Sequence, residues 1–142
     1  MIRALGLLLS VMYSALAGAH DCAATSPESF SVFFAKFADD KPFSVSRTLF
    51  PLRALKWEYG IDSKGKDESA PSRFTVPKNR YAATPSISAT IKEHGMTSRI
   101  KSAESHMVVV EIFKDGSDWY TSHHFKRVGN CWYLYEYQDH SL

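Results

Sequence analysis

Two residues of the C-terminal third have types suited to acid/base work, His123 and Glu136. A carboxylate beside an imidazole raises its pKa and orients the ring, which a general base requires. Their placement follows from the turn between them. If Gly129-Asn130 closes a two-residue hairpin, Val128 faces Cys131 and Phe125 faces Leu134. His123 then lies opposite Glu136. The bland alternative is an ion pair at the sheet edge. Trp119, His123 and Trp132 could line a pocket, and Tyr133 and Tyr135, with Tyr120 and Tyr137, form a stripe able to meet a ligand or partner. Such a stripe can equally pack under a terminal segment. His123-His124 does not make a metal site, because adjacent strand residues point to opposite faces. No catalytic motif of the Gly-x-Ser-x-Gly type is present, and Gly65-Lys66 lacks the spacing of a phosphate loop. No cofactor is implied.

The elements that hold these residues are three consecutive strands: Met107–Phe113, Trp119–Phe125 and Cys131–Tyr137. Each is rich in β-branched or aromatic residues, and Asp115-Gly116 and Gly129-Asn130 supply the turns. With Ile112 facing Trp119, Val110 facing Thr121 and Val108 facing His123, one face carries Val108, Val110, Ile112, Trp119, Thr121, His123, Phe125, Trp132, Leu134 and Glu136. A slip of one residue in a turn would exchange the two faces. A meander with one apolar face cannot stand in water, so another element must cover it.

That cover is the helix opened by Ser26-Pro27-Glu28, with Ser26 as cap, Pro27 at the first position and Glu28 complementing the dipole. Phe30, Phe33, Phe34 and Phe37 form one apolar stripe along it, and Pro42 ends it. Phe43 to Leu55 reads as a strand with Pro51 at an edge or bulge. Leu55–Tyr59 alternates as a further strand, Gly60–Ala70 is a charged loop, and Ser72–Val76 is a short strand. Pro85–Glu93 reads as a helix capped by Thr84 and closed by Gly95. Met96–Ser105 fits a strand edge or a loop. The fold class is α+β: a bent antiparallel sheet packed on an N-terminal helix, ending in a three-stranded meander.

The N-terminus carries the most specific signal. Arg3, an apolar run from Ala4 to Leu16 and small residues at Ala17-Gly18-Ala19 predict a secretory signal peptide, Met1–Ala19, cleaved after Ala19. The run is shorter than the ~20 residues a bilayer-spanning helix needs, so no stable membrane span remains after cleavage. Residues 20–142 then form a single domain in the periplasm or outside the cell. In that compartment Cys22 and Cys131 are expected to form one disulfide. Hydrophobic content of 44% is ordinary for a globular chain, and a net charge of +2 is too small to argue for nucleic acid.

Two stretches carry a resemblance. Phe37-Ala-Asp-Asp-Lys-Pro-Phe43 runs into Ser46-Arg47-Thr-Leu-Phe-Pro-Leu52, and the chain closes with Asp118-Trp119 and His124-Phe125-Lys-Arg-Val-Gly-Asn-Cys-Trp132. These resemble an uncharacterised family of small exported bacterial proteins. Its members combine a Phe-x-x-Ser-Arg-x-x-Phe-Pro-Leu element with a closing Trp-rich hairpin. The resemblance implies the nuclear transport factor 2-like, or cystatin-like, α+β cone and an exported chain, and brings no catalytic residues with it. That cone hosts both enzymes and binding modules. Three functions are therefore weighed: a non-enzymatic binding protein, an immunity or inhibitor protein against a toxin or hydrolase, and a cone enzyme using His123 and Glu136.

Overall fold

The structure is a computed structural model that describes Cys22 and residues 24–141. The expected signal peptide, Met1–Ala19, lies outside the described residues. Among the described residues four helices, α1 (Phe30–Asp39), α2 (Lys41–Ser46), α3 (Lys78–Ala82) and α4 (Ile87–His94), accompany one six-stranded sheet. Its strands are β1 (Thr48–Glu58), β2 (Ala70–Val76), β3 (Thr97–Ala103), β4 (Met107–Phe113), β5 (Tyr120–Val128) and β6 (Cys131–Asp139), in the order β2-β1-β6-β5-β4-β3. The sheet is bent and unclosed. Its pairs are antiparallel except β1 with β6, which run parallel.

The phenylalanine stripe of α1 lies on the inner face of the sheet. Phe125 is fully buried at its centre, ringed by Phe30, Phe33, Phe34 and Phe37 at centroid distances of 5.4, 5.7, 5.8 and 5.1 Å, each edge-on. Edge-to-face pairs of this kind add about 0.5–1.5 kcal/mol each beyond the area they bury. Leu52, Val108, Val110, Trp132 and Leu134 complete the core.

The helix begins later than its sequence signals. Ser29 precedes its first residue, and Ser26-Pro27-Glu28 stays outside. Glu28 is taken by a tertiary contact: its carboxylate accepts both Nη atoms of Arg47, at 3.1 and 3.2 Å, and the backbone N–H of Trp132 at 3.1 Å. Phe43–Ser46 is helical rather than extended. Asp40 ends α1 and caps α2, its side chain accepting from the Phe43 N–H at 2.9 Å, and Pro42 sits in the first turn, where a missing N–H does no harm. β1 follows as one strand through Pro51, with a register shift against β6 between Thr48 and Arg53. Ser86, not Thr84, caps α4, and Gly95 closes it in the left-handed conformation at φ +60°. The short α3 buries no residue and left no periodic signal in the sequence.

The meander forms as expected, with Gly129-Asn130 as a two-residue turn that pairs Val128 with Cys131 and Phe125 with Leu134. The β4–β5 connection is longer than anticipated. Trp119 stays in it, its carbonyl accepting from the Lys114 N–H, and Ile112 pairs with Thr121, Val110 with His123 and Val108 with Phe125. The two-residue displacement preserves which side chains face inward. Cys22 and Cys131 are joined by a disulfide with a Cα separation of 6.1 Å, tying the N-terminal segment to the start of β6.

Candidate functional site

A partly open cavity of about 310 Å³ lies between the inner sheet face and the helices. Leu52, Ile112, Thr121, His123, Leu134 and Tyr137 line it from the sheet. Phe37, Lys41, Tyr81 and Ile87 line it from the helices, and Trp119 comes from the β4–β5 connection. Thr84 and Pro85, both exposed, form part of its rim.

His123 faces this cavity without Glu136. A β-bulge separates the pairs Phe125–Leu134 and His124–Glu136, leaving Tyr135 as the extra residue on β6. Beyond it the parity of β6 is reversed. His123 stands opposite Tyr137, whose ring it meets edge-on at 5.2 Å, and Glu136 is on the outer face. There Glu136 binds Arg53 at 3.1 Å and accepts from the Gln138 amide at 2.7 Å. The expected His123–Glu136 pair is thus absent, because one inserted residue moves the carboxylate to the other side.

Burial pushes the His123 pKa down to about 3, with smaller contributions from His124 and Lys41. The imidazole is neutral at physiological pH, and its Nδ1 is sealed from solvent without a hydrogen-bond partner among the described residues. A ring so far below neutrality is a weak general base. Burial also raises the phenols of Tyr81 and Tyr137, leaving both protonated. Lys41, half-buried beside the rim, is lowered to about 8 by desolvation. Its Nζ donates to Thr84 Oγ1 at 2.8 Å and lies 3.7 Å from the centre of the Tyr81 ring.

The other expected ligand-facing residues scatter. Trp119 reaches the cavity and packs on His94 at 4.6 Å between ring centres. Trp132 is in the core, its indole N–H donating to the Glu28 carbonyl at 2.9 Å. Tyr133 is 2% exposed and packs under the Arg47 guanidinium, so the tyrosine stripe offers no continuous outer surface. Tyr135 is on the outer face, edge-on to His124. Lys41 and Tyr81 belong to the cavity without any signal for it in the sequence, and Tyr137, expected on the tyrosine stripe of the other face, lines it too. Lys41 reads only as part of a helix end, and Tyr137 reaches the inner face only because of the bulge.

The outer face carries a second polar group. Burial opposes the charge of Glu111, but bonds from Tyr120, Lys101 and Arg99 outweigh it and hold the carboxyl at about 2. Ser122 Oγ contacts Nε2 of His124 at 3.0 Å and of His140 at 3.3 Å. At 2% exposure the hydroxyl is out of reach of a substrate. Cys22, Glu28 and Cys131 place potential metal donors together, but the two sulfurs are bonded to each other and offer no thiolate.

No protein-family model matches the chain. A comparison with curated proteins also finds no match. Solved structures do match. A nuclear transport factor 2-like protein from Bacteroides fragilis superposes with a TM-score of 0.59 and 20% identity, over 84% of this chain and 50% of that one. The present chain therefore spans about half of that protein's length. A cystatin-like protein from Bacteroides caccae gives a TM-score of 0.52 and 22% identity, covering 81% of this chain and 78% of that one. At these identities the likeness is one of fold. The helices on a bent, unclosed sheet, with a cavity between them, are the nuclear transport factor 2-like, or cystatin-like, α+β cone.

Proposed function

We propose that this chain is an exported, non-enzymatic binding protein that takes a small, mostly apolar molecule into the cavity between α1 and the sheet. The observation that carries the reading is the cavity itself. About 310 Å³ of space remains beside a closely packed phenylalanine core, within the ~300–1,000 Å³ range of ligand sites. Its walls are chiefly Phe37, Leu52, Ile87, Ile112 and Leu134, with a few polar groups among them, as ligand pockets require for orientation. His123 has a low pKa and no carboxylate beside it, so it suits hydrogen bonding to a ligand better than proton transfer. The predicted signal peptide and the Cys22–Cys131 disulfide support an oxidising, extracytoplasmic setting. Docking of a protein partner, as an immunity or inhibitor role requires, would be favoured by a filled core with an exposed aromatic patch; the open cavity and the burial of Tyr133 speak for a small ligand instead.

The test uses N-phenyl-1-naphthylamine, an uncharged dye that fluoresces in apolar surroundings. Saturable binding at micromolar dye is expected, with quenching of Trp119. Thr90→Trp, which fills the cavity from α4, is expected to abolish the signal while leaving the circular dichroism spectrum unchanged. Equal dye binding by a folded Thr90→Trp variant, or none by the native chain, would overturn the proposal.

A further inference from the structure

The charges around the cavity narrow the ligand class, an inference that rests on the binding reading above. Among the described residues Lys41 is the only lining residue that carries a formal charge at neutral pH; no described Asp, Glu or Arg lines the space. The ionisable groups facing it from the neighbouring elements are Tyr81 on α3, His123 on β5 and Tyr137 on β6, all uncharged near neutrality. The adjacent Asp40 carboxylate is engaged in capping α2. Among the described residues no ion pair includes Lys41.

Its ammonium has three N–H donors. Thr84 Oγ1 takes one at 2.8 Å, and the Pro85 carbonyl lies at 3.5 Å, the outer limit of a bond. The Tyr81 ring face, 3.7 Å away, is its third neighbour. A half-desolvated cation at the rim therefore has one good hydrogen bond, two weak neighbours that a stronger acceptor can replace and, among the described residues, no counter-charge. Leu52, Ile112 and Leu134 offer only apolar surface further in.

We infer that the cavity selects a small apolar monocarboxylic acid, its carboxylate on Lys41 beside Thr84 and its hydrocarbon body against Leu52, Ile112 and Leu134. An amine would meet Lys41 with like charge. A dianion would bring a second charge with no cation to meet it, and burying an unpaired charge is costly. An uncharged ligand would leave the ammonium without its strongest class of acceptor. A volume of about 310 Å³ is at the low end of the ~300–1,000 Å³ range of ligand sites, which favours a small ligand.

Octanoate and octanamide are both small and differ in charge. Titration calorimetry at pH 7 is expected to show octanoate binding roughly tenfold more tightly, the scale of one charge-assisted hydrogen bond. Lys41→Met should remove the preference, so that octanoate and octanamide bind with similar affinity. At pH 10 the native preference should shrink as Lys41 loses its proton, while Lys41→Arg should retain it, since a guanidinium stays charged. Equal binding of acid and amide, or an acid preference that survives in Lys41→Met, would overturn the inference and leave the cavity reading standing. Failure of both octanoate and octanamide, with the neutral dye still bound, would also overturn the inference alone. Failure of all three probes would overturn both readings.

Discussion

Replacing Glu28 by alanine is expected to destabilise the fold by about 3–5 kcal/mol, although Glu28 lies in an irregular segment before the first helix. Its carboxylate is bidentate to Arg47 and also accepts the Trp132 N–H. The side chains are 7% exposed for Arg47 and 19% for Glu28, so the pair is largely out of water. The guanidinium is held among the rings of Phe43, Tyr133 and Phe33, at 5.0, 5.5 and 5.9 Å. Among the described residues, its remaining hydrogen bond without Glu28 is to the Trp132 carbonyl at 3.3 Å, and Nε has no partner already. The penalty comes mainly from a buried cation left without its anion. The corresponding double change, Glu28→Leu with Arg47→Met, removes both charges and should lie within about 2 kcal/mol of the native chain. Urea denaturation at pH 7 with the disulfide intact is the suitable assay, because the Cys22–Cys131 link keeps the segment tethered in every variant. A loss below about 1 kcal/mol for Glu28→Ala, or a double variant less stable than the single one, would refute the reasoning.

The Cys22–Cys131 bond spans a sequence separation of 109, for which chain entropy gives about 5 kcal/mol. The double change Cys22→Ser with Cys131→Ser should lower the urea midpoint accordingly, and an unchanged midpoint would show that the bond is not supplying that constraint. Glu111 tests the outer face through pH. Its folded-state pKa of about 2 lies below the ordinary 4.5, so its contribution is present above about 4.5 and is lost as pH falls toward 2. Melting temperatures measured from pH 6 to 2 should fall more steeply for the native chain than for Glu111→Gln; parallel curves would contradict the assignment.

The inner half of the sheet was legible because one face is buried. Val108, Val110, Ile112, Phe125 and Leu134 alternate as a half-covered strand set must, and the stripe on α1 supplies their cover. Even the two-residue error across the β4–β5 connection left every one of them facing inward. The edge strands gave no such signal. β3 is exposed along its whole length and β2 nearly so, and a strand without a buried face has no reason to alternate. The start of α1 departs from its sequence signal for the opposite reason. Ser26-Pro27-Glu28 is a sound local helix signal, but Glu28 gains more from Arg47 and Trp132, both distant in sequence, than from the first turn of a helix.

The site was hidden by the same kind of long-range cause. The hairpin alone predicts His123 opposite Glu136, and nothing in Tyr133-Leu134-Tyr135 marks a bulge, since no glycine stands there. β6, however, pairs with β1 as well as β5. β1 meets Leu134 through Thr48 and Glu136 through Arg53, with its register shift between these points. Pro51 falls within that interval and has no N–H to give a ladder. The irregularities on both sides of β6 therefore fall at one level of the sheet, where a strand from far earlier in the chain must be accommodated. Beyond that level Glu136 meets Arg53 outside and Tyr137 turns inward to His123. A regular β6 would have set a carboxylate beside the imidazole and made acid/base chemistry the natural reading. The bulge instead sets a neutral histidine beside an un-ionised tyrosine on the cavity wall, to which α2 separately adds the Lys41 ammonium, and the proposed ligand-binding role rests on that combination.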